Sequence, residues 1–230
     1  MIMSVEHIQE VTMSRKDYEN YDDKELKALA DSGIPDAIFE YAMRLRSRDE
    51  NKEAFVYFYK LKDYNNSFIL DRIIDIAYYE EKGIIDDKEL FALMKRRHEM
   101  DISIVSYLLG HMYRQGRGTR KSLKKYIELL TLWAKAGSYV GTIELAECYE
   151  KGYGVRHSYR KAFKLYYEFR DEHGKMDYWC AYKVGYYMYH RLGGVKRDMF
   201  WIEFHLRFAA RLRKEAEELY IEIFHKAPQY

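Results

Sequence analysis

The sequence predicts an all-α fold: an α-solenoid of about five antiparallel helix-pair repeats closed by a C-terminal capping helix. Three observations predict it. Only two prolines occur, Pro35 and Pro228, so the long stretch between them holds no helix breaker. A motif of a small residue, a tyrosine and paired glycines recurs at a shift of 36 residues. The segment after each motif carries apolar residues three and four apart, the period of a helix with one buried face. The closely spaced Gly/Pro turns that a β-sandwich of 230 residues would need are absent.

Residues 1–14 are expected to be an N-terminal arm. Met1 to Thr12 mix Glu6, His7 and Glu10 with scattered apolar residues, unlike the basic start and apolar run of a signal peptide. A helix is expected over about 15–32, opening a block of divergent helical repeats over 15–101. Asp22-Asp23-Lys24-Glu25 and Asp86-Asp87-Lys88-Glu89 read as capping boxes, each an N-cap aspartate with a glutamate three residues on. Tyr78, Tyr79, Gly83 and Ile84 keep the repeat outline with one glycine lost, and Ala37 to Arg48 keeps only the helical period.

Over 102–213 the repeats are clear. Leu109-Gly110, Tyr113, Gly116 and Gly118 correspond to Leu145-Ala146, Tyr149, Gly152 and Gly154 one period later. Val184-Gly185 and Gly193-Gly194-Val195 follow at a shift of 39, the polar stretch His173 to Asp177 absorbing the extra residues. After each turn comes a second helix, as in Tyr126, Leu129, Leu130, Trp133 and Ala136. A capping helix is expected over about 207–226, within a terminal segment 207–230, covering the last apolar face through Phe208, Leu212, Leu219 and Phe224. A helix pair of this size cannot bury its own apolar faces and must stack on the next. Gly110, Ala146 and Gly185 lie inside apolar helical runs, where a small residue allows close approach of the neighbouring helix backbone. The Gly-x-Gly turns supply the left-handed backbone that reverses the chain.

These residues resemble the Sel-like repeats, relatives of the tetratricopeptide solenoids. The likeness rests on Leu109-Gly110, Tyr113, Gly116 and Gly118; on Tyr149, Gly152, Gly154-Val155, Lys161-Ala162 and Gly174; and on Gly194-Val195, Asp198 and Ala209-Ala210. It is specific over 102–213 and weaker but in phase over 20–101. Thr119 stands where the pattern has Val, and Ser122 and Ser158 where it has Asp. The resemblance implies a superhelix whose first helices line a concave face, and a non-enzymatic role in assembling or sequestering other proteins.

Composition narrows the classes further. A hydrophobic fraction of 48% and an aromatic fraction of 17% exclude a disordered chain. No run approaches the length of uncharged apolar sequence that spans a bilayer, so a soluble cytoplasmic protein without membrane contact is expected. Cys148 and Cys180 read first as small buried hydrophobes in a reducing compartment, with a disulfide or redox role as the alternative. The net charge of +2 is unevenly placed: residues 1–109 carry 16 Lys+Arg against 23 Asp+Glu, and residues 110–230 carry 23 against 14. Either this polarity steers a charged partner or it is drift of solvated surface charge.

Little in the chain points to catalysis. The Gly-x-Gly turns lack the P-loop pattern and recur at the repeat period, so they are turns. The eight histidines include no i, i+4 zinc pair and no HExxH. Glu144, Glu147 and Glu150 share a helix without a nucleophile beside them. No enzyme, cofactor or metal site is expected.

Two surfaces are candidates for binding. One is a groove of first-helix tyrosines, Tyr107, Tyr139, Tyr182, Tyr186 and Tyr187, since tyrosine offers large contact area at low entropic cost. Tyr113 and Tyr149, at the pattern's tyrosine position, read as packing. The other is a basic edge where successive turns align: Arg114, Arg117, Arg120 and Lys121, then Arg156 and Arg160, then Lys196 and Arg197. That edge is a solvated loop rim, a dock for an acidic protein, or a sequence-blind, salt-dependent nucleic-acid surface. The expected function is a cytoplasmic adaptor, regulator or immunity-type inhibitor that binds a partner protein; nucleic-acid binding is the alternative.

Overall fold

The computed structural model describes residues 18–101, 103–170 and 173–229. All the regular structure among them is helical. The expected arm over 1–14 and the first residues of the expected 15–32 helix lie outside the described residues. The backbone forms two compact units that divide after Arg120.

In the first unit α1 (Asp23–Asp31) packs on α2 (Pro35–Ser47), which packs on α3 (Asn51–Lys60). Then come α4 (Ser67–Asp75), drawn out by a π-helical turn over Ile76–Glu80, α5 (Asp87–Met100) and α6 (Ile104–Gln115), each against its predecessor. α1 begins at Asp23, later than the 15–32 expectation. Tyr18 to Asp22 is a turn and extended backbone held by Arg44, whose guanidinium donates to the carbonyls of Tyr18 (2.7 Å) and Tyr21 (2.8 Å). Asp22 then caps the helix in a reciprocal box with Glu25. Asp86 makes only half of its box. It accepts from the Glu89 backbone at 2.9 Å, but the Glu89 carboxylate turns instead to Lys62 at 3.1 Å. Buried Arg97 ties α5 to α4 by a fork onto both Asp71 oxygens, at 2.8 and 3.1 Å.

The second unit is α7 (Leu123–Lys135), α8 (Tyr139–Lys151), α9 (Tyr159–Glu168), α10 (Tyr178–His190), α11 (Met199–Ala210) and α12 (Lys214–Phe224), again packed in succession. One core cluster joins α8, α9 and α10 through Ala146, Ala162, Tyr166, Cys180, Val184 and Tyr187. Cys148 and Cys180 are both buried and not disulfide-bonded, and burial pushes the Cys180 thiol up to about 12. The capping helix is shorter than the expected 207–226. α11 ends at Ala210, Arg213 is extended, and α12 starts afresh at Lys214. Leu212 therefore falls in the break and is 70% exposed, while Ala216, Leu219 and Tyr220 supply the buried face.

One contact recurs between adjacent repeats. In three turns one glycine lies against the start of the helix that opened one repeat earlier. A Cβ on Gly118 would stand 1.9 Å from the Asp87 carbonyl oxygen at the start of α5. On Gly154 it would meet Leu123 and Ile127 of α7 at 3.2 and 3.0 Å, and on Gly193 the Arg160 nitrogen of α9 at 2.6 Å. At Gly185 the neighbouring helix comes close chiefly through a side chain, Leu206 of α11 filling the open flank at 2.8 Å with its backbone nitrogen at 3.6 Å.

Candidate partner-binding surface

The helix α11 reads Met199-Phe-Trp-Ile-Glu-Phe-His-Leu-Arg-Phe-Ala-Ala210. Ile202, His205, Leu206, Ala209 and Ala210 form the stripe that faces the core. A second apolar stripe, Trp201, Phe204 and Phe208, runs beside it at the same helical period, and one face of a helix cannot bury both. Phe208 finds cover by stacking on Tyr178, with ring centroids 4.6 Å apart and planes 7° from parallel. Phe200, Trp201 and Phe204 do not, remaining 69%, 46% and 47% exposed, with Met199 at 42% beside them. Their rings touch edge to face, Phe200 on Trp201 at 5.3 Å and Trp201 on Phe204 at 5.6 Å. Single exposed apolar residues are ordinary on a soluble protein, but a contiguous aromatic patch marks a contact surface.

The patch borders a pocket of about 400 Å³ between α11 and the end of α9. Trp201, Phe204 and Phe208 form one wall, and Tyr167 and Met176 contribute to another. Arg170 and Lys175 bring positive charge to the rim. The Arg170 guanidinium is held in place by one nitrogen, Nη1, which donates to the carbonyls of Tyr167 and Phe169, both at 2.6 Å. His205 reaches the pocket from the buried side. Only 6% exposed, it touches Phe204 at 5.4 Å and Trp201 at 6.1 Å. Burial, reinforced by the nearby Arg170 charge, pushes its pKa down to about 4, so the ring is neutral at neutral pH.

Comparison with solved structures fits this architecture. A protective antigen present in uropathogenic Escherichia coli strains and displaying an SLR fold superposes with a TM-score of 0.68 at 21% identity, over 90% of this chain and 44% of that one. A Sel1 repeat protein from Oxalobacter formigenes gives 0.62 at 22% identity, over 81% and 75%. This chain has the Sel1-repeat fold. It spans less than half the length of the antigen. No protein-family model matches the chain, and no curated protein matches it in sequence.

Two departures from the Sel1-repeat pattern, Ser122 and Ser158, are explained by the caps. Ser122 and Ser158 accept from the backbone N–H groups of Lys125 and Lys161, both at 3.3 Å, the work that Asp198 does for Phe200 at 3.1 Å. Serine and aspartate are equivalent there.

The first-helix tyrosines are not one open row. Tyr187 is 1% exposed; its hydroxyl donates to Glu150 at 2.6 Å, so its assignment to a groove is corrected to core. Lys183 approaches the same carboxylate at 2.6 Å beneath the rings of Tyr166 and Trp179. Tyr182 and Tyr186 are half-buried, packed against Leu219 and Tyr220 where α12 lies on α10 and α11. The capping helix occupies the side that would otherwise be groove. Tyr139 is 36% exposed with its ring on Phe169 at 5.4 Å, and burial and Asp177 raise its pKa. Tyr107, in the first unit, is half-buried beside His111 at 4.3 Å.

The basic residues divide likewise. Arg117 is engaged, at 2.6 Å from Asp87 and with its guanidinium over the Tyr78 ring at 5.4 Å. Arg114 is half-buried, and Arg120 is exposed. In the second unit Lys121, Arg156, Arg160 and Lys196 are exposed, and Arg197 lies over the Tyr189 ring at 4.5 Å. The Gly193–Arg160 contact brings the turn before Lys196 and Arg197 onto the start of α9.

The α11 patch and the α9 end of its pocket escaped the sequence reading, which looked for a groove on first helices. The signal was present as the doubled apolar stripe over Met199–Ala210.

Proposed function

We propose that this chain is a non-catalytic, cytoplasmic protein-binding module, an adaptor, regulator or immunity-type inhibitor, and that its principal docking surface is the aromatic patch of α11 with the adjoining pocket. The observation that carries this is the exposure of Phe200, Trp201 and Phe204 side by side at a pocket mouth. Clustered aromatic rings next to an arginine are the composition of a binding hot spot. The related folds are consistent with a scaffold role, and no helix among the described residues is long and apolar enough to cross a membrane.

The test is affinity capture with the full chain as bait, followed by mass spectrometry and by reconstitution with the purified partner. A stoichiometric partner whose complex with the wild-type chain is lost with Phe204→Asp, at unchanged helicity by circular dichroism, supports the surface. Retention by Phe204→Asp and by Phe200→Ser alike removes it.

A second reading is kept because of Lys121, Arg156, Arg160 and Lys196, all exposed in the second unit. They support docking of an acidic macromolecule along the basic edge, a nucleic acid included. Nucleic-acid binding of this kind falls steeply with salt. No mobility shift with RNA or DNA at physiological salt would end it.

A further inference from the structure

The pocket beside α11 carries more information than its exposure. His205 lines the pocket wall, 6% exposed, with its ring against those of Trp201 and Phe204. Arg170 presents open donors there. Its Nη1 is committed to two carbonyls, whereas Nε and Nη2 have no acceptor and the guanidinium no ion pair among the described residues. Between these groups stand the faces of Trp201, Phe204 and Phe208 and a volume of about 400 Å³, within the range that holds one large side chain and its flanking backbone.

We infer that the pocket receives an acidic segment of a partner protein that inserts an aromatic side chain between Trp201, Phe204 and Phe208, sets a neighbouring carboxylate against Arg170, and makes a backbone hydrogen bond with His205. This rests on the α11 patch being the docking surface and specifies what docks. The aromatic walls match an inserted ring by offset or edge contact. The guanidinium, with two donors open, matches a carboxylate better than a neutral amide. A neutral imidazole can donate or accept, so a backbone amide or carbonyl satisfies it equally.

Three fluorescein-labelled, end-blocked heptapeptides test this by polarisation against the full chain: a central Phe flanked by Asp and Glu, the same Phe flanked by Lys, and the acidic peptide with Ser in place of Phe. The acidic Phe peptide is expected to bind at least tenfold more tightly than either other. Arg170→Gln should erase most of the preference over the Lys-flanked peptide but keep that over the Ser peptide. His205→Leu should weaken the acidic Phe peptide several-fold with the circular dichroism spectrum unchanged. Equal affinities, no binding by any peptide, or indifference to Arg170→Gln overturns the inference. So does phenylacetate binding as tightly as the peptide, which would make a free small acid the occupant. Concentration-dependent dimerisation abolished by Phe204→Asp would assign the pocket to a second copy and overturn it too. If Phe204→Asp releases a captured partner while the peptides show no preference, the docking surface stands and only its assigned occupant falls.

Discussion

At the scale of the residue, position and backbone conformation decide what a substitution does. Gly118 combines a φ of +65° with a Cβ direction that runs into the Asp87 carbonyl oxygen 1.9 Å away. Gly137 has a φ of +83° but open space around it. Gly118→Ala should therefore cost about 3 kcal/mol or more, and Gly137→Ala only about 1 kcal/mol; urea unfolding of the two variants measures the difference. Tyr187 gives a comparable contrast. Tyr187→Phe loses one hydrogen bond to the half-buried Glu150, costing about 1–2 kcal/mol, whereas Tyr187→Ala opens the core and should cost about 3–5 kcal/mol. A folded Tyr187→Ala chain of near wild-type stability would show that this ring is not core. His205 adds a pH dependence. Its folded pKa of about 4 lies below the ordinary value of 6.5, so between those limits the unfolded chain binds the additional proton. Its contribution is complete above about pH 6.5 and is lost as the pH falls towards 4, a loss of roughly 2–3 kcal/mol. Denaturant melts at pH 7 and 4.5 should show this slope in the wild type and its reduction in His205→Phe; parallel slopes would refute it.

At the scale of the element, α10, α11 and α12 show where sequence patterns are decisive and where they stop. Leu219 of α12 is 8% exposed over α10 and α11, so Leu219→Ala should destabilise the second unit by about 2–4 kcal/mol, read from its unfolding transition. The repeat period, the helix-pair order and the Gly-x-Gly turns were legible, because each is a local rule: 3.6-residue periodicity, an N-cap oxygen, a glycine with positive φ. The break at Arg211–Arg213 was not, since Phe208, Leu212 and Leu219 can be strung on one continuous helical stripe and only the packing of α12 shows that Leu212 is left out. The burial of Tyr187 was not legible for a related reason. Tyr182, Tyr186 and Tyr187 lie on neighbouring faces of α10, and sequence spacing does not say which face α12 or α9 will cover. The α11 patch is the converse case: a helix with more apolar width than its neighbours could bury, a surplus countable in the sequence beforehand.

At the scale of the whole molecule, charge is distributed so that the unit carrying the proposed docking surface is the basic one. From Lys121 onward there are 20 Lys+Arg and 14 Asp+Glu, although the full chain balances at +2. An acidic partner docking there should associate faster at low ionic strength. We expect the association rate to fall about fivefold between roughly 0.05 and 0.3 M salt, with the dissociation rate changing much less, by stopped-flow mixing with the purified partner. A salt-independent association rate would detach the charge layout from recognition.

The seating of Gly118, Gly154 and Gly193 on the helix start one repeat before involves only adjacent repeats. Nothing in that joint records how many joints come before or after. Chain length thus becomes a quantity that duplication or loss of a whole 36-residue block can reset without redesigning any contact. A change of one or two residues inside a turn has no such freedom, because it would unseat the glycine while leaving both helices in place.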